Sequence, residues 1–342
     1  MNTELLKKTA SEVVAKGKGI IAADESSGTC QKRFDSVGVE CNEENRRLYR
    51  QTILSAPDLE KYVSGIILFD ETIRQKNDAG ERFPDALAAR GILPGIKVDG
   101  GAKELALHEG EKVTEGLDGL RERLAEYVTF GAKFAKWRSV ITIGANIPSE
   151  ACIHANAHAM ARYAALCQEA GIVPIVEPEV IIDGDHSIER CYEVTVAALK
   201  DTFNELKEQD VMLEGAILKA SMVIAGKKAA AQSSPEQVGA ETVKALLESV
   251  PKNLAGVVFL SGGQGDEQAT ANLNAMNLIG GTPWPLTFSY SRAIQNPVLK
   301  IWAQDTKGNV GKAQDALVFR SKMNSLASEG KYTAEMENER PY

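Results

Sequence analysis

The chain has 342 residues, 44% hydrophobic and 25% charged, enough to bury a large core in one domain of barrel size. Net charge is −8, and the densest basic spots are only Lys7-Lys8 and Lys227-Lys228, which argues against a nucleic-acid partner but not against an anionic small molecule in a positive pocket. No run of eighteen apolar residues occurs, so no membrane-spanning helix is expected.

The first nineteen residues set Glu4, Lys7, Lys8, Glu12 and Lys16 around Leu5, Leu6, Val13 and Val14. That spacing predicts an amphipathic helix, and without a continuous apolar segment it is not a signal peptide. Eight short, nearly continuous apolar runs follow, at 19–24, 65–70, 94–99, 134–143, 172–180, 214–223, 256–261 and 285–291. Each is bounded by glycine or polar residues, as strands buried on both faces are. Helical patterns fill the gaps. Ser234-Pro235-Glu236-Gln237 reads as a capping box with proline at the first helical position, and Ser149 caps the alanine-rich stretch that ends before Gly171. Eight strand–helix alternations imply a parallel sheet, closed most economically as a (β/α)8 TIM barrel, with an open doubly wound sheet as the alternative. Nothing divides the chain, so residues 1–342 are expected to form one domain, with a mobile polar tail at 330–342. The five cysteines, Cys30, Cys41, Cys152, Cys167 and Cys191, lack any CxxC pair. They suggest free thiols in a reducing cytoplasm rather than disulfides or a zinc site.

Charges on strands covered by helices are unexpected. Here they come two residues apart: Lys97 and Asp99, Lys136 and Arg138, Glu177 and Glu179. Strand alternation puts each pair on one face, and in a barrel that face is the interior or its C-terminal mouth. Asp24 ends the first strand, and Lys219 stands alone in the apolar run Ala216–Ile224. A buried lysine amine can attack a carbonyl to form a Schiff base. The neighbouring charge of Lys136 and apolar walls would favour its neutral form. Glutamates nearby could donate and accept the protons of imine formation.

Two segments point to phosphate. Ser261-Gly262-Gly263-Gln264-Gly265 follows strand seven, and Ser289-Tyr290-Ser291-Arg292 ends strand eight. Loops after those strands are the recurrent phosphate site of such barrels. A second cationic set, Arg33, Lys97 and Arg138, belongs to strands one, three and four. Two anionic ends around one lysine suggest a bisphosphate with a carbonyl near one end.

At these residues the chain resembles class I fructose-1,6-bisphosphate aldolase over essentially its whole length. The resemblance rests on Ala22-Ala23-Asp24-Glu25-Ser26, Gly95-Ile96-Lys97-Val98-Asp99, Ala135-Lys136-Trp137-Arg138, the segment from Val173 to Glu179, Leu218-Lys219, Phe259-Leu260-Ser261-Gly262-Gly263-Gln264 and Leu286-Thr287-Phe288-Ser289-Tyr290. It implies a cytoplasmic, homotetrameric lyase of glycolysis and gluconeogenesis that needs no metal or other cofactor. By that resemblance Lys219 forms the Schiff base with the ketose and Glu177 is its general acid/base. Lys136 and Glu179 assist proton movements, Asp24 takes the C4 hydroxyl proton, and Tyr342 relays the proton at C3. Ser261, Gly262, Gly263, Ser289 and Arg292 would hold the C1 phosphate. Arg33, Lys97 and Arg138 would steer the C6 phosphate, helped by Ser26 and Thr29. Three features differ from the animal pattern: Ala220-Ser221 where Pro-Asn is usual, Ser291 in place of glycine, and the ending Glu339-Arg340-Pro341-Tyr342.

Two other readings compete. One is a metal enzyme using His154 and His158, four apart on a helical face, but they lack an intervening Glu and sit away from the strand ends. The other is a binding or scaffold protein that has kept the fold without the chemistry. The presence of Asp24, Lys136, Glu177 and Lys219 together argues against it.

Overall fold

The computed structural model of the chain describes residues 2–342. All eight expected strands are present: β1 (Gly19–Ala23), β2 (Val63–Leu68), β3 (Leu93–Lys97), β6 (Phe134–Ile141), β7 (Val173–Val180), β8 (Ile217–Ala220), β9 (Gly256–Phe259) and β10 (Leu286–Tyr290). They form a closed parallel barrel in the order β1-β10-β9-β8-β7-β6-β3-β2, with helices outside. This is the (β/α)8 barrel rather than the open sheet. A hairpin not expected from the sequence, β4 (Gly101–Glu104) and β5 (Lys112–Glu115), lies outside the barrel order. Its strands are four residues long and mostly polar, so neither length nor alternation marked them.

The interior explains why the charges cluster at one end. On β1, β6, β7 and β8 the inward residues start apolar: Ile20 and Ala22, Phe134, Val173 and Ile175, Ile217. The next residues on those faces are Asp24, Lys136, Glu177 and Lys219. Phe134 fills the lower interior so closely that a Cβ on Gly95 would lie 2.3 Å from its ring. The helix Thr3–Val13 closes the N-terminal end with Leu6, Ala10 and Val13. Apolar packing thus fills the bottom, and chemistry is left to the C-terminal mouth.

The expected caps are in place. Ser149 Oγ accepts from the Cys152 N–H at 3.1 Å. The Ser234 hydroxyl accepts from Gln237 N–H while the Gln237 carbonyl accepts from Ser234 N–H. The sixth expected strand is shorter than its apolar run: of 214–223 only Ile217–Ala220 forms β8. Beyond it, Ser221 Oγ accepts from the Val180 N–H at 2.9 Å and donates to the Val180 carbonyl at 3.1 Å. Ser221 therefore ties the chain one residue past β8 to the end of β7, beyond the paired residues of the two strands, and fixes the strand that carries Lys219. That gives the unusual serine a structural reason. The tail is docked: Glu337, in the 3-10 turn Ala334–Glu339, receives two hydrogen bonds from the buried Arg320 at 2.8 and 2.6 Å.

Candidate active site

At the barrel mouth a cavity of about 380 Å³ is lined by residues of both expected phosphate clusters and by Asp24, Lys136, Glu177 and Lys219. Lys219 is buried, and its Nζ lies 3.1 Å from Glu177 Oε1. The other oxygen of Glu177 is 3.2 Å from Lys136 Nζ. Lys136 also meets Asp24 at 2.9 Å and Asp99 at 4.0 Å. Burial alone would discharge Lys136, but Asp24, Glu177 and Asp99 override it and push its pKa well up. Lys136 is therefore a fixed ammonium, compensated by the carboxylates around it.

Asp24 shows the converse. Burial works against its ionisation, yet the charge of Lys136, with Lys219 and Lys97 behind it, holds its carboxyl at about 2 instead of 3.8. A depressed acid contributes stability above its unfolded pKa and loses it as pH falls through the folded one. The contribution here is about 2 kcal/mol. Urea unfolding of wild type and Asp24→Asn should show a stability gap that narrows between pH 4 and 2. A gap constant across that window would refute the assignment.

Ser26, Thr29, Lys97, Arg138, Ser261 and Ser289 also line the cavity around this centre. Lys97 Nζ bonds Asp99 at 2.6 Å, and the Arg138 guanidinium pairs with Glu179. The Arg138 N–H donates to the other Asp99 oxygen at 3.2 Å. Ser26 caps the helix Ser27–Asp35, with its hydroxyl 3.2 Å from that of Thr29. Opposite, Ser261 is buried, and Gly262 and Gly263 adopt left-handed φ values of 58° and 89°, which favour glycine. Ser289 Oγ is buried with no hydrogen-bond partner among the described residues, an acceptor or donor held open at the cavity wall. Tyr342 is elsewhere: its ring packs edge-on against Phe319, centroids 6.1 Å apart, and it does not line the cavity.

Glu25 and Arg50, to which sequence reasoning gave no role, form a network with Ser291. Glu25 pairs with Arg33 and, at 2.8 Å, with the buried Arg50. It also accepts from Ser291 Oγ at 2.7 Å and Gln295 Nε2 at 3.1 Å. Arg33, expected to steer the C6 phosphate, is paired with Glu25, and its Nη2 is buried without a partner among the described residues. Ser291 sits at φ −107°, so its Cβ is accommodated and its hydroxyl links β10 to the end of β1. The signal for Arg50 was an arginine at the buried face of the helix Glu43–Leu54, legible only once the register of that helix is known. His154 and His158 pair instead with Asp201 and Glu205 on the outer helices. Among the described residues, no group of three His, Cys, Asp or Glu side chains is arranged to hold a metal.

A parallel eight-stranded barrel with a buried lysine–carboxylate cluster in a cavity at its C-terminal mouth, between a glycine-rich loop on one side and basic side chains on the other, defines a (β/α)8 barrel of the enzyme type. The family model of class-I fructose-bisphosphate aldolase matches residues 5–341. A probable fructose-bisphosphate aldolase class 1 of Xanthomonas campestris pv. campestris is 60% identical over 332 residues, covering 97% of this chain and 99% of that protein. The cytosolic fructose-bisphosphate aldolase 4 of Arabidopsis thaliana is 50% identical, covering 97% and 84%. The solved fructose-bisphosphate aldolase of Plasmodium falciparum, in complex with TRAP and a small-molecule inhibitor, superposes with a TM-score of 0.95 at 49% identity, covering 97% of this chain and 96% of that one. The chain belongs to the class-I fructose-bisphosphate aldolase family, lyases that are metal-independent by class.

Proposed function

We propose that the protein cleaves fructose 1,6-bisphosphate reversibly to dihydroxyacetone phosphate and glyceraldehyde 3-phosphate through a Schiff base on Lys219, within glycolysis and gluconeogenesis. The observation that carries this reading is the 3.1 Å approach of Lys219 to Glu177 inside a cavity walled by both anion-binding sets. The amine attacks the C2 carbonyl to give a carbinolamine. Glu177, paired with both lysines, takes the proton that the Lys219 ammonium gives up and returns it to the carbinolamine hydroxyl, so that water leaves and the iminium forms. Asp24, ionised beside Lys136, takes the C4 hydroxyl proton as the C3–C4 bond breaks. The electron pair passes to the iminium as an enamine, and the aldehyde departs. Protonation at C3 and hydrolysis then release dihydroxyacetone phosphate and restore the amine.

In this reading Ser261, Gly262, Gly263, Ser289 and Arg292 hold the C1 phosphate, with the unpartnered Ser289 hydroxyl as a ready donor. Arg33, Lys97 and Arg138 meet the C6 phosphate, with Ser26 and Thr29 beside them. Glu179 holds Arg138 in place. Tyr342 would reach C3 only after the tail leaves Phe319. We place the enzyme in the cytoplasm, where the free cysteines would stay reduced. A homotetramer is the assembly the family resemblance implies, and light scattering giving any mass other than four chains would refute it. Purified protein is expected to cleave fructose 1,6-bisphosphate at an unchanged rate after EDTA treatment. Loss of activity on chelation, restored by a divalent ion, would overturn the metal-free mechanism.

A further inference from the structure

The loops that follow β7 and β8 are joined at their backbones beside the glycine pair. The N–H groups of Gly226, Lys227 and Lys228 donate to the carbonyls of His186, Ile182 and Gly184 at 2.9, 2.9 and 2.8 Å. This fixes the main chain of Lys227 and leaves its side chain to choose a partner. One partner is Asp183, whose Oδ1 is 2.9 Å from the ammonium. The hydrogen bond from Lys227, with the charges of Arg292 and Lys228 behind it, holds the Asp183 carboxyl below its ordinary range.

The other possible partner is marked by Gly263. A Cβ built there would lie 2.8 Å from Lys227 Nζ and 3.2 and 3.3 Å from the two terminal nitrogens of Arg292. Lysine and arginine therefore converge on one point above a left-handed glycine whose neighbours offer backbone N–H groups. Two like charges brought together at an exposed place repel unless an anion comes between them. Asp183 is itself well exposed, at 74%, and such ion pairs are weak.

We propose that Lys227 is a second cation for the C1 phosphate, held by Asp183 until the anion enters and then exchanged onto it beside Arg292 over Gly263. The proposal rests on the C1-phosphate reading given above. Asp183 then acts as a competitor for the lysine, which tunes how tightly the ketose phosphate and its three-carbon product are retained. Lys227 and Asp183 lie outside the set that the family resemblance assigns to this phosphate.

The two residues make opposite predictions. Dihydroxyacetone phosphate carries only the C1 phosphate, so its inhibition constant against cleavage reports this phosphate site together with the Lys219 step, and these substitutions leave Lys219 in place. At low ionic strength Lys227→Ala should raise that constant about five- to ten-fold, the loss of one charge-assisted contact. Asp183→Asn should lower it about two-fold by removing the competitor. Lys227→Arg should remain close to wild type, and the Lys227→Ala/Asp183→Asn double variant should match Lys227→Ala. Lys227→Ala and Asp183→Asn moving the constant in the same direction would mean the pair only braces the loops, and would overturn the proposal. So would an unchanged constant for Lys227→Ala alongside a large rise for Arg292→Ala. No rise for Arg292→Ala would overturn the C1-phosphate reading as well.

Discussion

Lys219→Met is expected to lower kcat/KM for fructose 1,6-bisphosphate by at least ~10⁴-fold, the scale of losing a covalent nucleophile. Methionine keeps the length of the side chain and suits the apolar residues below it, Ile217 and Val258. The substitution leaves Glu177 with one ammonium partner, Lys136 at 3.2 Å, so the fold should survive. Both residue sets proposed to hold the phosphates remain, and calorimetry should still detect the bisphosphate binding. Separate measurements of binding and turnover therefore isolate chemistry from recognition. A variant with activity within about ten-fold of wild type would show that the covalent step is not on the path.

Lys136→Met should be the most damaging change to stability in the site, by about 3–5 kcal/mol, because it strands a buried carboxylate. The three acids around Lys136 do not suffer equally. Asp99 keeps Lys97 at 2.6 Å and Glu177 keeps Lys219 at 3.1 Å. Asp24 loses its 2.9 Å partner and has no other ion pair among the described residues. The damage should therefore be strongly coupled to Asp24. Adding Asp24→Asn should recover much of the stability lost by Lys136→Met, a non-additivity that urea unfolding at pH 7 would read directly. Simple addition of the two losses would mean the cluster is not held together as described. Turnover in Lys136→Met should fall about 10²–10⁴-fold, as the proton-handling carboxylates lose their fixed counter-charge.

The barrel was legible because each strand is buried on both faces and so reads as an uninterrupted apolar run. The charged pairs were legible for the same reason: two residues apart on such a strand, they have only the mouth to face. Partners were not. That Glu177 would divide its two oxygens between Lys136 and Lys219, or that Arg33 would lie on Glu25, depends on rotamers and barrel stagger that strand spacing does not encode. The hairpin at Gly101–Glu104 and Lys112–Glu115 was missed because its residues are polar and short-ranged in pattern. Ser221 and Ser291 looked like departures from the animal pattern. Their hydroxyls bond Val180 and Glu25, contacts made across strands and invisible along one. The Arg320–Glu337 contact of the tail was likewise invisible in the sequence, because Arg320 lies on another element, the helix Val310–Ala327.

The central claim is that Lys219 becomes covalently attached to the ketose. Incubation with dihydroxyacetone phosphate and borohydride, followed by peptide mass spectrometry, tests it most directly. Wild type should carry a single reduced adduct on the peptide containing Lys219, and Lys219→Met should carry none. An adduct on Lys136 instead, or full activity with no adduct on Lys219, would contradict the account.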